Sequence, residues 1–234
     1  MKNEEHTKSP TTINTIEKSN FQNTFTPPFE IPQSWVWVRL GEVCEIVLGK
    51  TPKREIIEYW KPNDYHWVSI GDMLERETIT STKECISQKA RQDCFGDSIT
   101  PKGTLLLSFK LTIGKTSFLG FDGFYNEGIV SIIPKIYRDV SVLPQHEKAN
   151  YHSGALAEEA QKDTIFKNFL LYFLPIFTNL CEKTGAIKGE TLNKEKLIHL
   201  PIPLPPLQEQ KEIVATLDSL FTLTKGLRQK VKVE

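Results

Sequence analysis

Gly49-Lys50-Thr51 and Gly114-Lys115-Thr116 each spell the closing triplet of a phosphate-binding loop, so nucleotide chemistry is the first to test. Such a loop needs a further glycine five positions upstream and a helix directly after it, because backbone N–H groups must close around the phosphates. Cys44 and Phe109 occupy those upstream positions. Pro52 follows the first triplet and a strand-forming run follows the second, so neither opens a helix. Asp122 and Glu127 flank a Gly-Phe-Tyr-Asn stretch, but the Glu-x-Lys a metal nuclease would add is missing. Cys44, Cys85, Cys94 and Cys181 form no C-x-x-C pair, and His6, His66, His146, His152 and His199 are scattered. The pattern gives neither a zinc site nor a disulfide framework and leaves four free thiols. A methyltransferase would carry a glycine-rich cofactor loop and an Asn/Asp-Pro-Pro-aromatic element, and neither occurs. The chain is therefore expected to hold no catalytic centre, cofactor or metal.

Binding chemistry has more to work with. Basic residues fall in loop-like stretches: Lys50, Lys53 and Arg54; Lys89 and Arg91; Lys110 and Lys115; Lys183 and Lys188. Thr51, Gln88, Ser108, Thr112 and Asn126 lie among them. Cations that neutralise phosphates, mixed with side chains able to read base edges, are what a DNA reader requires. The 29 basic and 29 acidic residues cancel, which argues against a blanket nucleic-acid binder and leaves room for local positive charge.

These loops need strands to hold them. With 234 residues, 39% of them hydrophobic and 25% charged, the chain suits one large globular domain plus an appended element. Residues 1–28 are polar and without hydrophobic period, and read as a flexible lead-in. From Ile31 the texture turns β-rich. Strands are expected over 35–40, 43–47, 66–70, 104–109, 116–119 and 129–133, in a largely antiparallel sheet. Trp35, Trp37, Trp67 and Phe109 are assigned to the core. A short helix is expected over 156–160. The helical stripe Ile165, Phe166, Phe169, Leu170, Phe173 and Leu174 follows, with Pro175 as a kink or terminator. Another helical turn is expected near 192–197, and the proline-rich stretch 201–206 should be extended. No apolar run reaches membrane-spanning length and the N-terminus lacks a signal peptide's apolar core, so a cytoplasmic location is expected.

The last segment reads as a helix over 206–231. Pro206 suits the first turn, Glu209 and Glu212 lie early, and Lys225, Arg228, Lys230 and Lys232 lie late, as the helix dipole favours. Ile213, Leu217, Leu220, Leu227 and Val231 alternate steps of four and three, with Thr224 in the missing slot and Val214, Phe221 and Leu223 alongside. Such a seam packs either on its own domain or on a partner helix.

Several stretches together resemble the target-recognition domain and adjoining helix of Type I restriction–modification specificity subunits. They are Ile31-Pro32-Gln33-Ser34-Trp35-Val36-Trp37-Val38-Arg39-Leu40-Gly41-Glu42-Val43-Cys44, Gly49-Lys50-Thr51-Pro52, and Trp67-Val68-Ser69-Ile70-Gly71-Asp72-Met73. Ile99-Thr100-Pro101-Lys102-Gly103-Thr104-Leu105-Leu106 and Asn126-Glu127-Gly128-Ile129 continue the likeness. Its most specific element is Leu200-Pro201-Ile202-Pro203-Leu204-Pro205-Pro206-Leu207-Gln208-Glu209-Gln210, leading into Ile213-Val214.

The resemblance implies an α+β recognition domain over 29–204 that lays loops into the DNA major groove, and a spacer helix over 205–234. It implies a non-catalytic subunit that reads one half of a split target and docks modification subunits and, through them, the motor–nuclease subunits. In the family two recognition domains are held apart by paired antiparallel helices. At ~1.5 Å per residue, 206–231 would span ~39 Å, near the ~34–36 Å of one DNA turn. Only one such domain and one such helix are present here. One expectation is a half-subunit that dimerises through Ile213, Leu217, Leu220, Leu227 and Val231 and reads a symmetric site. The other is an interaction scaffold, or a piece of a disrupted specificity gene, that reads nothing. Lys50, Lys53, Arg54, Lys110, Lys115 and Lys188 are the residues expected to lie close to DNA.

Overall fold

Leu105–Ser108 and Ile129–Pro134 are apolar at nearly every position, the pattern of strands covered on both faces. In a computed structural model, which describes residues 27, 29–135, 153–183 and 192–231, they form the middle of a five-stranded sheet. In chain order the elements begin β1 (Val36–Arg39), α1 (Leu40–Val43), β2 (Cys44–Leu48), β3 (Tyr65–Val68), β4 (Glu77–Ile79) and β5 (Glu84–Ile86). Next come α2 (Gln88–Ala90, continued by a π-helical turn to Phe95), β6 (Leu105–Ser108), β7 (Thr116–Leu119), β8 (Phe124–Tyr125) and β9 (Ile129–Pro134). The chain closes with α3 (Ser153–Lys183), α4 (Lys194–Ile198), β10 (Pro201–Leu204) and α5 (Leu207–Val231). The central sheet has the order β2-β9-β6-β7-β4, beside a three-stranded sheet β5-β3-β8 and a ladder of β1 with β10. β3–β8 and β4–β7 are parallel, and the other pairs are antiparallel. The class is α+β with a long C-terminal helix, as expected, although the strands divide into three sheets.

The two-residue period of β6 and β9 decides which side chain meets which core. Leu105, Leu107, Val130 and Ile132 pack with Phe166, Phe169, Leu170 and Leu174 of α3. Leu106 and Ile129 join Val68, Met73, Ile79 and Leu119 in a second cluster. Trp67, Ile86, Ala90 and Phe124 make a third, with Tyr59 and Trp60 against it. Trp37, Trp67 and Phe109 are buried, as expected of core aromatics. Trp35 is half-buried, and its indole N–H donates to Glu209 at 2.6 Å.

Pro175 does not end its helix. α3 runs through it to Lys183, and the separate short helix expected over 156–160 is simply its first part. Proline cannot donate to the carbonyl four residues before it, which is that of Leu171. The buried hydroxyl of Thr116, on β7, donates to that carbonyl at 2.8 Å. A strand residue 55 positions away thus supplies the hydrogen bond that the helix cannot. Thr116→Val keeps the shape and strips the donor, leaving a buried carbonyl unpaired. The expected cost is about 1–3 kcal/mol of unfolding free energy, measured by denaturant titration. Thr116→Ser, which restores the hydroxyl, should recover most of it.

The stretch expected to be extended is β10, where Pro201 and Pro203 face Arg39 and Trp37 of β1. Prolines at alternate positions are tolerated because only one edge of β10 pairs with a strand. α5 then leaves almost at once. The Glu209 carboxylate, in its first turn, accepts hydrogen bonds from Ser34 Oγ at 3.0 Å and from Trp35. Gln210 is wholly buried and donates to the Pro205 carbonyl at 2.9 Å. The helix is thereby fixed at its root to the start of β1.

Candidate nucleic-acid interface

The antiparallel registers bring four strand ends to one end of the central sheet. Leu48, the last residue of β2, faces Val130; Ser108, the last of β6, faces Ile129; and Thr116, the first of β7, faces Leu107. The loops leaving these ends carry most of the basic residues singled out above. Gly49 N–H donates to the Ile129 carbonyl at 3.0 Å and Lys50 N–H to the Tyr125 carbonyl at 2.9 Å. Phe109 N–H donates to the Gly128 carbonyl at 3.0 Å. The segments 49–54, 109–115 and 126–128 are therefore held side by side.

Both Gly-Lys-Thr triplets have steric reasons for their glycine. A Cβ at Gly49 would stand 2.1 Å from the Asn126 carbonyl oxygen. Gly114 has φ +85°, and a Cβ there would lie 2.6 Å from Thr178 Oγ1 of α3. These glycines allow close packing of backbone; neither triplet starts a helix.

Glu127 stands at the middle of the group. Its carboxylate accepts the Thr51 hydroxyl, with Lys110 and Arg54 close enough to stabilise its charge. The Thr51 hydrogen bond, assisted by these cations, holds its pKa below the usual carboxylate range. Lys50 is exposed, and its ammonium donates to the Cys94 carbonyl at 2.8 Å. Lys53 is exposed, and Lys110 is half-buried with its Nζ 5.7 Å from the Phe109 ring centroid. Lys50, Lys53, Arg54 and Lys110 thus share one end of the sheet, built from segments some 60 residues apart in the chain.

Arg54 and Lys115, like Lys50, are tied to partners within the fold. The Arg54 guanidinium makes a bidentate ion pair with Glu84 and lies 3.8 Å from the Trp60 ring centroid. The Glu84 hydrogen bond pushes its pKa further up, and a fixed fork of this kind positions neighbouring groups. Lys115 is half-buried and donates to the Met73 carbonyl at 2.8 Å, tying the β6–β7 loop to the turn after β3. Lys188 lies outside the described residues. Among the polar candidates, Ser108 is wholly buried with its hydroxyl bonded inside its own loop, and Asn126 accepts from Gly128 N–H. The Gln88 side chain accepts from Tyr65, whereas Thr112 is exposed.

The helix seam divides. Val214 is buried, and Ile213, Leu217 and Phe221 are half-buried against the chain's own core, with Phe221 stacked on Tyr172 of α3. Arg76 lies over the Phe221 ring, 4.5 Å from its centroid, and Lys225 pairs with Glu77. Burial and a hydrogen bond to Asp218 push the Tyr172 hydroxyl up to about 12. Leu220 and Leu223 are exposed, at 53% and 65%. The side chains of Leu227 and Val231 lie outside the described ones. Sequence periodicity identifies the apolar residues here; it does not say which of them α3 claims.

Among the described residues no His, Cys, Asp and Glu side chains gather in a group that could hold a metal, and no helix is long and apolar enough to cross a membrane.

Known proteins share this arrangement of chain. The family described as Type I restriction modification DNA specificity domain matches residues 32–145 and 139–233. The Type I restriction enzyme MjaIX specificity subunit of Methanocaldococcus jannaschii is 25% identical over 210 residues, covering 87% of this chain and 42% of its own. The EcoR124I/EcoR124II specificity subunit of Escherichia coli is 23% identical over 198 residues, covering 82% of this chain and 42% of its own. Among solved structures, the HsdS subunit from Thermoanaerobacter tengcongensis superposes with a TM-score of 0.57 at 22% identity, over 91% of this chain and 44% of that one. At that identity the likeness speaks for the fold. The chain spans less than half the length of the curated relatives it matches.

Proposed function

This chain belongs to the Type I restriction modification DNA specificity domain family, and on that premise we propose that it reads one half of a split duplex target. The observation that carries the proposal is the gathering of cations at one end of the central sheet, with Lys110 and Arg54 beside Glu127 and Lys50 and Lys53 beside Cys94, on segments laced together by backbone hydrogen bonds. A chain with no net charge has no general reason to concentrate cations there. Lysines of this kind neutralise phosphates and set register, and the exposed Thr112 between them can reach a base edge. A carboxylate among them is compatible with reading, since Glu127 can accept from the amino group of cytosine.

The same reading makes the protein a non-catalytic, cytoplasmic adaptor. Methyl transfer, ATP hydrolysis and cleavage then belong to modification and motor–nuclease subunits docked on it. The second arm comes from a second copy of the chain. Support for that arm lies in the exposed leucines of α5, which at 25 residues spans ~37 Å, close to the ~34–36 Å of one DNA turn. The alternative is a scaffold that pairs with other specificity subunits and reads nothing.

Fluorescence anisotropy of a labelled duplex, titrated across a range of salt, tests the choice. A reader shows saturable binding whose logarithm falls steeply with log salt, and competitor duplexes of different sequence displace it unequally. Equal displacement by all sequences, or no binding at low salt, would falsify the reader and leave the scaffold.

A further inference from the structure

Leu111 is the most exposed of the large apolar side chains described, at 95%. Its φ is +59°, in the left-handed region that leucine adopts only at a cost. A loop that merely had to turn would place glycine or asparagine there. Both the backbone and the solvation of this residue therefore oppose leucine, and nothing in the fold uses its side chain.

The loop beneath it is not slack. Ser108 Oγ donates to the Thr112 carbonyl and accepts Lys115 N–H at 3.0 Å, while Gly114 N–H donates to the Ser108 carbonyl at 2.9 Å. Ile113 packs on the main core and Gly114 lies against Thr178 of α3. A braced platform thus presents one bare leucine between Lys110 and Thr112, at the end of the sheet where Lys110 lies near Glu127.

We infer that Leu111 is a base-reading contact that takes the 5-methyl group of a thymine on the major-groove edge. This inference rests on the reading of the chain as a DNA reader. The thymine methyl is the one apolar feature of the major-groove edges, and a leucine flanked by a cation and a hydroxyl is matched to it. A wedge driven between base steps would have to repay unstacking by wrapping the duplex over a broad basic surface. In this neutral chain the cations of the interface gather at one end of a sheet.

The test is selection of bound duplexes from two random-sequence libraries, one containing thymine and one with uracil in its place, using the full chain. Wild type should prefer thymine at one target position by about fourfold, the worth of one buried methyl group, and should lose that preference in the uracil library. Leu111→Ala removes only exposed atoms, so it should stay folded and keep the rest of the consensus without that preference. Leu111→Met should retain it. A preference that persists in Leu111→Ala, or one that survives uracil, overturns the contact; the latter result is what a wedge or a shape reader would give. A wild-type chain that enriches no sequence from either library overturns the recognition reading and this contact together.

Discussion

Replacing Lys50, Lys53 and Lys110 together by glutamine is expected to weaken duplex binding about 500-fold near 0.1 M salt. Each phosphate neutralised contributes an affinity factor of about the salt concentration to the power −0.9, or about eightfold at that concentration, and the three multiply. The slope of log affinity against log salt should fall by about 2.7 at the same time. That second readout matters, because a variant damaged in its fold loses active protein without changing the slope of what still binds. Lys50 and Lys53 are exposed, and the Cys94 carbonyl that Lys50 holds is bonded at the surface, where water can replace the ammonium. The Lys110 ammonium lies by the Phe109 ring, so the substitutions leave the core alone. Lys115→Gln is the matched control. Its ammonium holds the Met73 carbonyl, so its loss should lower the melting temperature and leave the salt slope in place. An unchanged slope in the triple variant would remove these lysines from the phosphate contacts and take the proposed interface with them.

The contrast between Lys110 and Lys115 also shows where the sequence stops informing. Both sit in one loop with the same apparent chemistry, and periodicity places both near a strand end. Their fates are set by what stands opposite: Lys110 finds Glu127, and Lys115 finds a backbone carbonyl after β3. Arg54 likewise reads as a free cation until Glu84 and Trp60, brought in by the three-stranded sheet and its preceding turn, enclose it. Pro175 reads as a kink or a stop because local rules contain no donor for Leu171, and Thr116 of β7 supplies one. What could be read locally came through well. β6, β7 and β9 follow from apolar runs bounded by glycine and proline, and α5 follows from its dipole-ordered charges and its proline entry. Leu111 was beyond reach, since neither its positive φ nor its exposure leaves a mark in the sequence.

The division of the α5 seam gives the second large effect. A helix of period 3.6 can present one stripe to its own domain and an adjacent one outward. Here Val214, Leu217 and Phe221 serve α3, and Leu220 and Leu223 face out. If a second copy covers the outer stripe, two-fold symmetry counts each leucine twice. Leu220→Asp with Leu223→Asp then removes four apolar contacts at about 1 kcal/mol each, raising the dimer dissociation constant about a thousandfold. The melting temperature of the monomer should stay put, because neither side chain touches the core. Leu217→Asp should behave differently, loosening α5 from α3 and lowering stability by about 2–4 kcal/mol along with any dimerisation. Light scattering and thermal melts on the two variants separate the roles. A double variant that still dimerises would place the interface elsewhere and end the argument that α5 spaces two readers. A wild type that is monomeric at every concentration, yet pairs with a specificity subunit of another kind, would make the outer stripe a docking strip for that subunit.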